Sequence, residues 1–411
     1  MSALRSLWRE RRDRPVFVAA VCLLLAVLLA WPVVDHVLRG AGLAPQFRFW
    51  DFGAYRSATA RWLRGESIYV RNEQGGFHGK YLYPPLVLVG FLPLSGLTFH
   101  AAGLVWAVGG LVVLWGGVQL ALDALGVRLA ALERVGLFWL LAGFQPVLLT
   151  VKMGQTATYL AGLLCVALAV TLTGDHAGRV TGGAITALVA AIKLPYAPVG
   201  AHLLRERRRL AGAVALGATF VGASVAVFGI EPNREFLAVL RWGIESGSSS
   251  RSPRLWLPPY FRPFHGVPRP TGVRLLIAGC VALAAAASGP RMDREAFAVG
   301  AAAVPLLAPQ TYAYYLTACL PAVLALTAAE LDRDGSPAIP VVAGTLAAVH
   351  SHGLHLLVTL VPPLPPLARP LIVLLQPGLW AVWLLVGLAT ARLVGSVDLA
   401  VVSETADPRR R

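Results

Sequence analysis

Long apolar runs alternate with short polar segments along almost the whole chain. Most of the runs approach the length that an α-helix needs to cross a bilayer, about 17–25 residues. The runs lie at about 16–34, 84–97, 100–122, 134–150, 156–173, 180–202, 210–230, 271–289, 296–309, 311–328, 338–361 and 370–395. This pattern predicts an all-α polytopic membrane protein with about 12 transmembrane helices. We expect residues 1–395 to form one integral membrane domain and residues 396–411 to form a disordered cytoplasmic tail.

The basic residues predict how this bundle is oriented. Five arginines precede the first run, so the positive-inside rule places the N-terminus in the cytoplasm. Alternating crossings then put two long polar loops, 35–83 and 231–270, on the outer face of the plasma membrane. The same count puts the arginines of segment 205–209 inside. It leaves Arg128 and Arg134 outside, against the rule.

The first outer loop carries a carboxylate, Asp51, shortly after the first run, and aromatic residues surround it in the sequence. From Phe52 to Trp62 the aromatic positions recur with a helical period, which is typical of a helix lying in the membrane interface. Asp51 fits two roles. It can cap this helix, or it can serve as a general base whose pKa is raised by partial desolvation.

The composition excludes several other classes of protein. Of the 411 residues, 56% are hydrophobic and only 14% are charged. The net charge of +15 comes from short loops and tails, which argues against a nucleic-acid partner and in favour of membrane lipids. The four cysteines lie inside apolar runs without metal-ligand spacing, so we expect no metal site. No nucleotide-binding glycine motif is present, so a nucleotide-sugar donor is not supported, and we expect no cofactor.

Several other polar residues fit either substrate binding or a bland role. His78 and Lys80 in the first loop, and Arg262 and His265 in the second, can meet a phosphate or remain solvated. Lys193 lies near the predicted cytoplasmic end of its run, where a structural role is expected.

His352 and His355 share a helix face within a membrane run, where polar groups serve either function or helix packing.

The order of short motifs resembles a known enzyme family. The motifs are Gly65–Tyr69, Tyr81–Leu86, Gly154–Gln155, Ile192–Pro195 and Ala308–Tyr312. Together with the acidic residue of the first loop, they resemble glycosyltransferase family 87 of the GT-C fold, which includes polyprenol-phosphate-mannose-dependent mannosyltransferases.

The resemblance implies a mechanism with a polyprenyl-phosphate-linked sugar, most simply mannose, as donor on the outer leaflet. Asp51 would be the base that activates a lipid or glycan acceptor for inverting transfer. Substrate contacts would come from Tyr55, Tyr83, Gln155, Gln310 and Tyr314. Gln155 fits poorly, because the crossing count places it toward the inside. Where the family often has histidines after its Ser-Pro-x-Ser-Trp segment, this chain has tyrosines, among them Tyr314.

Two other functions remain open at this point. A transporter or flippase would show paired half-chains and broken helices at the membrane midplane. A non-catalytic assembly subunit would need no carboxylate at position 51. The concentration of polar residues in two outer loops favours the glycosyltransferase over both.

Overall fold

The computed structural model consists of helices and the loops between them in the residues that it describes, which are 3–42, 46, 48–73, 75–77, 79–246, 260–289, 291–309, 312–351 and 373–405. The α-helices are α1 Ala3–Glu10, α2 Pro15–Gly40, α3 Trp50–Leu63, α4 Phe99–Ala124, α5 Ala131–Gly143, α6 Gln145–Met153, α7 Ala157–Leu172, α8 His176–Ile192, α9 Arg207–Phe228, α10 Ile230–Ser246, α11 Pro270–Ala287, α12 Asp293–Leu307, α13 Cys319–Asp332, α14 Ala338–Ala348 and α15 Pro377–Thr405. The 3₁₀ segments Pro85–Leu94, Leu194–Arg205 and Ala313–Ala318 join them.

The protein is an all-α multi-pass membrane protein. Within the described ranges, six helices are long and apolar enough to cross a membrane, or seven if α5 and α6, bent by 71°, make one span. The number of about twelve crossings stays a prediction, because several apolar helices are shorter than this criterion requires. Helix α15 continues to Thr405, beyond the predicted end of the last run at residue 395.

Helix α12 is the centre of the bundle. Every residue from Glu295 to Leu306 is buried, and most of them are alanine, glycine or valine. Small residues let neighbouring helices approach closely, which is how helices associate in a membrane. At Gly300 an added Cβ would lie 2.8 Å from the Cα of Val199, so the 3₁₀ segment Leu194–Arg205 packs directly against α12.

Ion pairs mark one end of the bundle, called here the Arg209 end. Arg209 pairs with Asp293 at 2.6 Å, between the start of α9 and the start of α12. Arg14 pairs there with Asp334, joining the N-terminus to the turn after α13. The carboxylate of Glu133 accepts from the backbone N–H of Ala3 at 3.1 Å, so the turn between α4 and α5 also lies at this end.

The opposite end of the bundle, called here the Asp51 end, contains the first loop. The prediction that residues 84–97 cross the membrane is wrong. Residues Pro85–Leu94 form a 3₁₀ segment that packs against α3. At about 2.0 Å per residue such a segment is too short for a hydrocarbon core about 30 Å thick.

The prediction of one crossing at residues 180–202 is also wrong. Helix α8 ends at Ile192, and the 3₁₀ segment Leu194–Arg205, which contains Pro195 and Pro198, returns toward the Arg209 end. Proline cannot donate the backbone hydrogen bond that would continue α8. The break places Lys193 at the Asp51 end, whereas the crossing count predicts that it lies on the side opposite Asp51.

Candidate active site

Asp51 lies in the first turn of α3, on the wall of a large cavity. The helix begins after Phe49, whose backbone is left-handed (φ 54°) and whose N–H donates to the carbonyl of Lys152 at 2.8 Å. This bond attaches the start of α3 to the last turn of α6. Gly154 and Gln155 follow α6 directly, so the two predicted motifs meet although they are a hundred residues apart.

Gln155 is the polar centre of the site. Its Nε2 donates to Oδ2 of Asp51 at 2.6 Å. Its Oε1 accepts from the hydroxyl of Tyr83 at 2.9 Å and from that of Tyr55 at 3.1 Å. The ammonium of Lys193 lies 3.4 Å from the same oxygen. Because an ammonium group can only donate, this arrangement fixes which end of the amide faces Asp51.

Lys193 is buried below this network, at the break after α8. Its Nζ lies 4.5 Å from the ring centroid of Tyr315, 4.6 Å from that of Tyr314 and 5.5 Å from that of Tyr83. The faces of aromatic rings attract cations, most strongly where water is excluded. The three tyrosines therefore hold a positive charge close to the carboxylate of Asp51.

The surroundings of Asp51 adjust its basicity. Burial raises the pKa of this carboxyl above its ordinary value, whereas the hydrogen bond from Gln155 and the positive charge of Lys193 lower it. Burial is the largest of these effects, so the net pKa is raised. A carboxylate with a raised pKa is a stronger base than one in water, and Oδ1 does not take part in the bond from Gln155.

The cavity has a volume of about 1580 Å³. Among the described residues that line it, Asp51 is the one carboxylate, and the basic side chains are Lys80, Lys193, Arg262 and Arg274. This excess of basic over acidic side chains favours an anionic ligand. The cavity also has apolar walls, formed by α10, α11 and the 3₁₀ segment Leu194–Arg205.

Tyrosines connect the two basic parts of this cavity. The ring of Tyr314, which contacts Lys193, stacks on Tyr312 at 5.3 Å with an interplanar angle of 10°. The guanidinium of Arg262 lies 5.9 Å from the centroid of Tyr312 and 4.7 Å from that of Tyr260. The backbone of Arg262 is in turn held by the side chain of Gln376, at 2.7 and 2.9 Å.

The structure brings together most of the predicted site residues that it describes. Those that line the cavity are Asp51, Tyr55, Lys80, Tyr83, Gln155, Arg262 and Tyr314. His265 is not among the lining residues. It lies beside Arg262, and burial together with the charge of Arg262 lowers its pKa. His78, Gln310, His352 and His355 lie outside the described residues.

Two expectations about this site are corrected. The crossing count predicts that Gln155 and Lys193 lie on the opposite side of the membrane from Asp51. Both side chains instead lie at the Asp51 end, in contact with each other. Sequence reasoning also missed Arg274, because it lies inside an apolar run, where a charged residue is itself a functional signal.

Comparison with known proteins identifies the family. The model of glycosyltransferase family 87 matches residues 81–295, slightly more than half of the chain. The chain belongs to glycosyltransferase family 87. The resemblance drawn from the motifs is thereby confirmed at the level of the family and of the general reaction, glycosyl transfer.

Individual relatives are more distant. A curated relative is the polyprenol-phosphate-mannose-dependent alpha-(1-2)-phosphatidylinositol pentamannoside mannosyltransferase of Mycolicibacterium smegmatis, which is 31% identical over 164 residues. This match spans 39% of the chain and only 38% of that protein. The chain is also similar to the crystal structure of ArnT from Cupriavidus metallidurans bound to undecaprenyl phosphate, with 16% identity and a TM-score of 0.40 over 96% of this chain and 79% of that one.

Proposed function

We propose that this protein transfers a sugar, mannose in the simplest case, from a polyprenyl phosphate to a lipid or glycan acceptor. The observation that carries the proposal is the cluster of Asp51, Gln155 and Lys193 on the wall of a cavity with both cationic and apolar walls. A polyprenyl-phosphate sugar is an anion on a long apolar chain, so it matches both properties. The mannosyltransferase relative is named for such a donor.

Asp51 acts as the general base in this account. Its carboxylate takes the proton of the acceptor hydroxyl as that oxygen attacks the anomeric carbon. The bond from the anomeric carbon to the phosphate oxygen breaks, and the polyprenyl phosphate leaves with the electron pair. The leaving phosphate is a weak base, so no acid is needed opposite Asp51. General base assistance of this kind is worth about 10²–10⁴ in rate.

One carboxylate is sufficient for transfer with inversion at the anomeric carbon. A double-displacement reaction that retains configuration uses a second carboxylate as nucleophile, about 5–5.5 Å from the first in glycosidases. Asp51 is the one acidic side chain among the described residues of the cavity wall. We therefore propose an inverting reaction.

We also propose that the reaction takes place on the extracytoplasmic face. The arginines of the Arg209 end include Arg205, Arg209 and Arg294, and positive charge marks the cytoplasmic side of a membrane protein. Asp51 lies at the other end of the bundle. Membership of a glycosyltransferase family also favours transfer over transport of a lipid-linked solute.

The test is transfer by the full-length protein in liposomes of defined lipids. We expect consumption of polyprenyl phosphate mannose with labelled sugar, and no consumption of GDP-mannose. The new glycosidic bond should have the anomeric configuration opposite to that of the donor. Use of GDP-mannose as direct donor, or retention of configuration, would reject this proposal.

A further inference from the structure

One basic residue of the cavity wall, Arg274, has no role in the proposed reaction. Arg274 lies in the second turn of α11, and its Nη2 donates to the carbonyl of Pro309 at 3.3 Å. Its guanidinium carbon lies 5.5 Å from the ring centroid of Phe264. Its Nε is buried and finds no hydrogen-bond partner among the residues that the structure describes. A buried donor without a partner is unfavourable, so it suggests a position that a ligand completes.

Arg262 contributes a second positive charge to the same wall. Both arginines line the cavity, and Arg274 contacts the ring of Phe264, two residues after Arg262 in the chain. Asp51 is separated from this pair by Gln155, Lys193 and the stacked rings of two tyrosines. Two guanidinium groups on the wall of one cavity match the several oxygens of one phosphate, to which arginine binds through parallel hydrogen bonds.

An apolar stripe continues from Arg274 along α11. Ala278, Val281 and Ala282 follow it at the spacings of four, seven and eight residues that share one helix face, and all of them line the cavity. In the 3₁₀ segment Leu194–Arg205, the lining residues include Pro195, Pro198, Ala201 and Leu204, at intervals of three. That interval is one turn of a 3₁₀ helix, so these side chains also form one stripe.

We propose that Arg274 and Arg262 bind the phosphate of a polyprenyl phosphate, and that its chain lies between the stripes of α11 and the 3₁₀ segment. This inference rests on the proposed function, and it assigns the donor subsite within the same cavity. The sugar then lies over the rings of Tyr312 and Tyr314, between the leaving phosphate and Asp51. An in-line displacement needs the base and the leaving group on opposite sides of the anomeric carbon, which this arrangement provides.

The first experiment measures binding of undecaprenyl phosphate, without sugar, to the full-length protein in nanodiscs. We expect Arg274→Gln to weaken binding about 10- to 100-fold, as expected for loss of charged hydrogen bonds. Arg241→Gln is the matched control, because this exposed arginine of α10 does not line the cavity. Equal binding by wild type and Arg274→Gln, or an equal loss in Arg241→Gln, would overturn the assignment.

A second pair of variants tests the groove for the chain. We expect Ala278→Trp to fill the groove and weaken binding of undecaprenyl phosphate, while farnesyl phosphate, with its short chain, binds as before. Leu276→Trp is the control, since Leu276 is 68% exposed on another face of α11. An equal loss for both ligands would show that the groove does not hold the chain. Competition by inorganic phosphate as strong as that by undecaprenyl phosphate would show a free-anion site instead.

Crosslinking of the wild-type protein keeps the test independent of how the variants fold. Undecaprenyl phosphate with a diazirine in its first isoprene unit should label α11 and the 3₁₀ segment Leu194–Arg205. Labelling confined to other helices would contradict the proposed groove. The proposed function fails separately: if wild type does not bind undecaprenyl phosphate at all, the donor class is wrong. If it binds but Arg274→Gln binds equally, only the subsite is wrong.

Discussion

At the scale of single residues, the site depends on one amide with a fixed orientation. Three donors, the hydroxyls of Tyr55 and Tyr83 and the ammonium of Lys193, converge on Oε1 of Gln155. The opposite end of the amide must therefore donate to Asp51. We infer that Gln155 is a positioning residue, which holds one carboxylate oxygen and leaves the other for the acceptor hydroxyl.

This role predicts a change in the pH dependence of transfer. The base works when it is deprotonated, so activity falls as pH falls through the pKa of Asp51. The hydrogen bond from Gln155 lowers that pKa, and Gln155→Leu removes the bond, so the acidic limb of the pH–rate profile should move to higher pH. Gln119→Leu in α4 is the control and should leave the limb in place. A limb that does not move in Gln155→Leu would contradict the positioning role.

The sequence allowed much of this site to be predicted by residue type. A carboxylate among aromatics, the Tyr81–Leu86 segment and Gly154–Gln155 were recognisable before their geometry was known. Lys193 was recognisable only as part of the Ile192–Pro195 motif, and Arg274 was not recognisable at all, because each lies in an apolar run and its exposure to the cavity depends on helix packing. The pattern of polar residues does not show which way a side chain inside such a run points.

At the scale of elements, a single glycine connects α6 to the site. Gly154 ends α6 with φ +69°, a conformation that other residues rarely adopt. A Cβ added there would lie 2.6 Å from the Cβ of Phe52, the residue next to Asp51. This close approach lets Gln155 reach the carboxylate. The Gly154–Gln155 motif thus has a physical basis: the glycine permits the close contact, and the glutamine makes the hydrogen bond to Asp51.

Gly154→Ala should therefore destabilise the protein as well as the site. The left-handed backbone costs a non-glycine residue roughly 1–2 kcal/mol, and the forced displacement of Phe52 adds to it. We expect a lower Tm in detergent and reduced transfer. Gly116→Ala in α4 is the matched control, since a Cβ there meets nothing within 4 Å, and its Tm should be unchanged or higher. Equal Tm values for the two variants would disprove the close contact.

At the scale of the whole molecule, two errors in the predicted crossings cancel, because each one shifts the predicted side of the membrane once. The run at 84–97 is not a crossing, and the run at 180–202 contains two elements that run in opposite directions. Apolar composition alone cannot separate a short 3₁₀ segment beside the site from a span. It also cannot show that the prolines after Lys193 reverse the chain. The all-α membrane fold was predictable. The side of the membrane on which each loop between residues 98 and 193 lies was not.

The corrected pattern explains the loop that contradicted the positive-inside rule. Arg128 and Arg134 lie in or beside the turn between α4 and α5, which is at the Arg209 end because Glu133 contacts α1. They join the other arginines on the side opposite Asp51. This agreement supports an extracytoplasmic site.

Labelling of single cysteines can test this orientation. With Cys22 and Cys280 replaced by alanine, Lys80→Cys should react with an impermeant maleimide added outside intact cells, because Lys80 is exposed at the Asp51 end. Arg128→Cys should react only after the membrane is opened. The reverse pattern of labelling would place the site in the cytoplasm and refute the orientation.

The most direct measurement of the central claim is the rate of sugar transfer from polyprenyl phosphate mannose by purified Asp51→Asn. We expect the rate to fall by about 10²–10⁴, the contribution of a general base, while Tm and binding of undecaprenyl phosphate stay at wild-type values. Asp123→Asn, at an exposed aspartate in the last turn of α4, should transfer at the wild-type rate. Transfer by Asp51→Asn within a factor of two of wild type would contradict the account.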